Sequence, residues 1–180
     1  MKRLTVAAAV LSTVFMSAGA FADTDQGEVI ITGRVVGTTC QFLDGNNSTT
    51  ITMNQVGQES LASLGAGATY TGIKNSTTVP LKLKCTGAEP KISLARNQFD
   101  DNYPNITKNT VAGGASGVGF VVTANDTPLT PETLIPLNGD PDENGVYTID
   151  FSAQYAVVAA GNAVTQGDVE STLTLTVVTE

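Results

Sequence analysis

Six consecutive residues, Asp140-Pro141-Asp142-Glu143-Asn144-Gly145, carry the D-x-D-x-N-G spacing that opens a calcium-binding loop. A calcium loop needs several oxygens at spaced positions, a glycine for the sharp turn and a glutamate at position twelve. Position twelve counted from Asp140 is Phe151, and the residues leading to it alternate as a strand does. The same six residues are strong turn formers, so a connection between two strands is the expected reading. Asp100 and Asp101 are adjacent carboxylates. Neighbours on an extended chain face opposite ways and make a poor acid–base couple, so a solvated loop is expected there. Asn-x-Ser/Thr triplets begin at Asn46, Asn47, Asn75, Asn105 and Asn125. They are expected to reflect Thr-rich strands and turns rather than glycan acceptors.

The chain has no histidine. That removes the commonest general base, the commonest metal ligand and every nucleophile system built on a histidine. No catalytic, cofactor-binding or metal-binding residue is therefore expected. Asp and Glu number 17 against 9 Lys and Arg, a net charge of −8. Phosphate recognition needs a positive patch, so a nucleic-acid partner is not expected. A length of 180 residues suits one domain, or at most two small ones, and is enough to bury a sizeable core.

Met1-Lys2-Arg3 is a short basic start, Leu4 to Ala20 is an apolar and small-residue run, and Ala20-Phe21-Ala22 fits an A-x-A cleavage site. This three-part pattern predicts a secretory signal peptide over residues 1–22. A transmembrane anchor fits poorly, because Val6 to Met16 is short and interrupted by Ser12 and Thr13. Cleavage after Ala22 removes Lys2 and Arg3, leaving 7 basic and 17 acidic residues and a net charge of −10. Cys40 and Cys85 are the two cysteines. An even count in an exported chain predicts one disulfide. Closing a loop of about 46 residues stabilises by roughly 4 kcal/mol in the chain-entropy model.

The mature chain is dominated by period two. Val79, Leu81, Leu83 and Cys85 alternate with Pro80, Lys82 and Lys84. Tyr147, Ile149, Phe151, Ala153, Tyr155 and Val157 share one parity, with Thr148, Asp150, Ser152 and Gln154 on the other. Leu173, Leu175 and Val177 alternate with Thr172, Thr174 and Thr176. Each run predicts a strand with one buried and one wet face. Shorter strands are expected at Val29–Val36, Thr49–Met53, Lys91–Ala95 and Val118–Thr123, and a short helix around Gln55–Leu64. Turn residues separate the runs at Asp44-Gly45-Asn46-Asn47, Gly113-Gly114 and Asn125-Asp126. Many short strands with such punctuation predict a β-sandwich. Asp23–Glu28 is polar and precedes the first strand as a free arm.

Four segments in order resemble the subunits of type 1, chaperone–usher fimbriae. Gly27-Glu28-Val29-Ile30-Ile31-Thr32-Gly33-Arg34-Val35-Val36, followed by Cys40, is similar to that family's N-terminal extension and first strand. Val79–Cys85 resembles its second cysteine strand, and Ser116-Gly117-Val118-Gly119-Phe120 its "GVGI" segment. Phe151-Ser152-Ala153-Gln154-Tyr155, with Gly167 fourteenth from the end, resembles its C-terminal motif. The chain departs from the pattern at Thr179, where a penultimate aromatic is usual, and at Asp25, where an apolar residue is frequent.

The resemblance implies an all-β, immunoglobulin-like sandwich that lacks its last strand and is completed by a donor strand. Residues 1–22 would be the signal peptide, 23–33 the donor extension and 34–180 the pilin domain. Gly27, Val29, Ile31 and Gly33 would face inward along the donor strand, with Gly27 at a constriction. Leu173, Leu175, Val177 and Glu180 would form the acceptor strand, to which a chaperone also pairs. Implied partners are neighbouring fimbrial subunits, a periplasmic chaperone and an outer-membrane usher. The product would pass through the periplasm to a fimbrium at the cell surface and support adhesion. A minor or adaptor subunit and a soluble carbohydrate-binding sandwich are the alternatives. A tip adhesin would need a further lectin domain, for which roughly 158 mature residues leave little room.

Overall fold

The alternating runs become strands in the computed structural model, which describes residues 39–77, 79–86, 89–137 and 139–179. The signal peptide, the donor residues Gly27, Val29, Ile31 and Gly33, the strand expected at Val29–Val36, and Glu180 lie outside the described residues. The strands are β1 (Thr39–Phe42), β2 (Thr69–Ser76), β3 (Leu81–Thr86), β4 (Pro90–Leu94), β5 (Val118–Ala124), β6 (Thr127–Pro128), β7 (Ile135–Pro136), β8 (Val146–Ile149), β9 (Phe151–Val157) and β10 (Leu175–Thr179). One short helix, α1 (Gln58–Ala62), falls inside the helical stretch expected from the sequence. The strands form three antiparallel ladders, ordered β1-β3-β8, β10-β4-β7 and β2-β9-β5-β6.

The main core follows from the alternation. Leu81 and Leu83 of β3 point inward while Lys82 and Lys84 stay exposed. They join Ile149 of β8 in one apolar cluster with Ile92 and Leu94 of β4 and Ile135 of β7. Side chains from two sheets thus interleave, and each fully buried aliphatic contributes about 1.5–3 kcal/mol. A second cluster sits under α1, where Leu61 meets Val118, Phe120, Tyr155, Val157 and Val164. The Gln58 side-chain amide donates to the Val164 carbonyl at 2.8 Å and ties the helix down.

Paired β5 and β9 run past both clusters, from Val118↔Val157 at the helix to Ala124↔Phe151 in the sandwich. Glycine at position 119 permits a close crossing, since a Cβ there would strike the Thr107 carbonyl oxygen and lie 2.8 Å from Ile106 Cγ2. The crossing is held by Thr107 N–H donating to the Phe120 carbonyl at 2.9 Å and by Phe120 N–H donating to Thr107 Oγ1 at 3.1 Å.

Several expectations are corrected. The run from Tyr147 to Val157 is two strands in two ladders, because Asp150 breaks the pairing. The Asp150 amide donates to Asn125 Oδ1 and its carbonyl accepts from Asn125 N–H, both at 2.8 Å. Ser152, expected on a wet face, is buried on the interior strand β9, where its hydroxyl shares a 2.7 Å hydrogen bond with Thr123 Oγ1. Thr49–Met53 forms no strand. Side chains hold it instead: Asn75 Nδ2 donates to the Thr52 carbonyl at 2.6 Å, and Thr49 Oγ1 to the Val79 carbonyl at 2.8 Å. Ile51 and Met53 still pack on the cores as alternation requires. Val79 precedes β3 and is 53% exposed rather than inward.

Tyr155 is buried beside Phe120, with ring centroids 5.1 Å apart, and its hydroxyl donates to the Asn54 carbonyl at 3.1 Å. Burial pushes the phenol above its ordinary value of 10.0. The folded chain holds this proton more tightly than the unfolded one. The stabilisation is complete below pH 10.0 and is lost as pH rises through the raised value. Tyr155→Phe is expected to flatten the alkaline limb of stability, read as urea midpoints on either side of about pH 10.

Candidate functional site

The predicted disulfide joins Cys40 to Cys85. The two residues are directly opposite in the β1–β3 ladder, with Cα atoms 4.1 Å apart. The bond ties β1, a four-residue strand at the edge of its ladder, to the central strand β3. No described cysteine is free.

β10 is the other edge strand of interest. Among the described strands it pairs with β4 alone, in the register Leu175↔Leu94 and Val177↔Ile92. Leu173, Leu175 and Val177 pack against the sandwich core, while Thr172, Thr174 and Thr176 are exposed. Leu173 lies just before the strand rather than within it. The apolar side chains on β10 are unevenly covered. Leu94 and Ile92 on β4 are 3% and 0% exposed, yet their partners Leu175 and Val177 are only half-buried. β1 runs close to β10 without pairing to it, and its Cys40 and Phe42 are half-buried on the same core. The two edges therefore border an apolar strip with incomplete cover.

The approach to β10 is fixed by side chains that periodicity does not reveal. Asn109 Nδ2 donates to the carbonyls of Ala115 and Asp168 at 2.8 and 3.1 Å, and its Oδ1 accepts from the amides of Val111 and Glu170 at 3.1 and 3.0 Å. Buried Thr107 donates to Ser171 Oγ at 2.8 Å, and Ser171 donates in turn to the Lys108 carbonyl at 2.7 Å. Gln98 bonds the backbone of Thr174 through both ends of its amide. Apart from the local bonds of Asn109 to Ala115 and Val111, these contacts join residues 59 to 76 apart in the chain, so only the folded topology brings them together. Gly167 is not on the edge strand. It has φ +147°, and a Cβ there would lie 2.6 Å from Ala115 N and 2.8 Å from the Gly114 carbonyl carbon. Its role is a close backbone crossing that sets the path toward β10.

The acidic clusters are engaged in turns. Asp142 Oδ1 accepts from the amides of Val146 at 2.9 Å and Asn144 at 2.8 Å. Those bonds, first from Val146 and then from Asn144, hold its carboxyl below the ordinary 3.8. This contribution to stability is present above that value and is lost as pH falls through the lowered one. Asp100 Oδ1 accepts from the amides of Asn102 and Tyr103, whereas Asp101 pairs with Lys108 at 3.1 Å. The two neighbours serve different partners and form no acid–base couple.

Comparisons with known proteins agree with this architecture. The family model described as "Fimbrial protein" matches residues 29–179. The uncharacterized fimbrial-like protein YehD of Escherichia coli (strain K12) is 33% identical over 184 residues, covering 98% of each chain. The P pilus rod subunit PapA superposes with a TM-score of 0.51 at 14% identity, over 85% of this chain and all of its own. A chain from the structure of a chaperone–usher pilus gives 0.53 at 14% identity, over 87% of this chain and 97% of that one. The two structural likenesses establish a shared mostly-β fold. From the family match and the full-length relative, the chain belongs to the fimbrial protein family, whose members are structural and non-enzymatic.

Proposed function

We propose that this chain is an exported subunit that polymerises head to tail into a surface fimbria by exchange of β-strands. On this reading the sandwich is immunoglobulin-like and incomplete, and an added strand lies along the edge of β10 that no described strand pairs. The observation that carries it is the partial exposure of Leu175 and Val177 opposite buried Leu94 and Ile92. A missing neighbour accounts for that asymmetry, and an open edge with apolar side chains invites strand addition. Residues 23–33 supply the donor, with Gly27, Val29, Ile31 and Gly33 inward. Donor and acceptor are at opposite ends of one chain, so repetition builds an open filament rather than a closed pair. Before assembly a periplasmic chaperone lends the strand and anchors Glu180, and an outer-membrane usher then passes the subunit on. A single domain carrying both halves of the exchange suits the repeating subunit of the fibre.

Gly27→Phe tests the donor register. The enlarged residue is expected to abolish fibres on the cell surface while leaving the complex with the chaperone at its normal level. Fibres at wild-type density would overturn the assignment of residues 23–33.

A further inference from the structure

We infer that Gln98 is a positioning residue for strand exchange, its side-chain amide serving as a one-residue surrogate strand that sets the start of the acceptor edge. This inference rests on the function proposed above. The last register pair between β4 and β10 is Leu94↔Leu175. Beyond it the chain leaves the ladder through a single 3-10 turn at Arg96–Gln98, so Thr174 has lost its backbone partner. The Gln98 carboxamide takes that place: Nε2 donates to the Thr174 carbonyl at 3.1 Å, and Oε1 accepts from the Thr174 amide.

A primary amide carries a donor and an acceptor side by side, as a paired strand residue does. Both polar groups of Thr174 are thereby fixed on the β4 side. Backbone groups of successive strand residues turn to alternate edges. Those of Leu173 and Leu175 are consequently directed to the opposite edge, where a donor strand would pair. Their side chains already pack on the apolar core. Gln98 thus extends the acceptor edge upstream of the regular strand and keeps Leu173 aligned with it.

The test compares the full mature chain with Gln98→Ala and Gln98→Glu, following the rate of fibre growth and the melting midpoint together. Loss of the paired bonds in Gln98→Ala is expected to slow growth on the order of tenfold. An ionised glutamate can accept from the Thr174 amide but cannot donate to its carbonyl. Once protonated, below about pH 4.3, it regains both roles. Gln98→Glu should therefore be slow at neutral pH and return toward the wild-type rate at acid pH, each rate taken relative to wild type at that pH. Wild-type growth rates in both variants, a lowered melting midpoint alone, or a Gln98→Glu rate that stays slow at acid pH would each overturn the role of Gln98. A wild-type chain that forms no fibres would instead overturn the proposed function.

Discussion

Removing the disulfide, by Cys40→Ser together with Cys85→Ser, is expected to lower folding stability by about 4 kcal/mol. The cross-link spans a sequence separation of 45, and much of its effect is to restrict the unfolded chain. Against a typical total of about 5–15 kcal/mol, this is roughly a quarter to four fifths of the whole. The folded state suffers as well. Among the described strands β1 has one partner, β3, and only four register pairs hold it there. Without the cystine β1 frays and uncovers Phe42 on the sandwich core. Urea titration of the purified mature chain measures the loss directly, and the amount of folded subunit recovered from an oxidising periplasm should fall with it. A loss under about 1 kcal/mol would contradict a structural disulfide.

Gly119→Val is expected to cost more than about 3 kcal/mol, in the range where a small domain ceases to fold. The added carbon would meet the carbonyl oxygen of Thr107, a backbone atom that cannot rotate away. Relief requires moving the Ile106–Thr107 crossing off β5, which breaks the bonds linking Thr107 to Phe120. Those bonds sit against buried Val118 and Phe120, so the second core loosens with them. Circular dichroism and limited proteolysis of the refolded variant report the result. A variant that melts within a few degrees of wild type would show that the crossing can shift freely.

Alternation made β3, β4 and the inward set Leu173, Leu175 and Val177 legible, because each has one more covered face and no break in parity. It fails where geometry resets the count. β2 shows no clean alternation, and its pairing with β9 shifts register between Thr69 and Lys74, so periodicity does not mark it as a strand. The corner at Asp150 escapes notice for the opposite reason. Ile149 and Phe151 keep the same parity and enter the same core although their strands belong to different ladders. Of the site, the cysteine pair follows from compartment and count, whereas the Gln98 and Asn109 clamps depend on contacts that only the assembled topology creates.

Strand exchange requires that the sandwich of residues 35–180 need an added strand, and a melt of that shortened chain tests it. The chain from Val35 to Glu180 is heated alone and with increasing amounts of a peptide spanning Asp23 to Arg34. An incomplete fold should melt low and broadly by itself, and its midpoint should rise with peptide concentration, as linkage to a bound ligand requires. A sharp, cooperative melt that the peptide leaves unmoved would mean a self-sufficient sandwich and would contradict assembly by strand exchange.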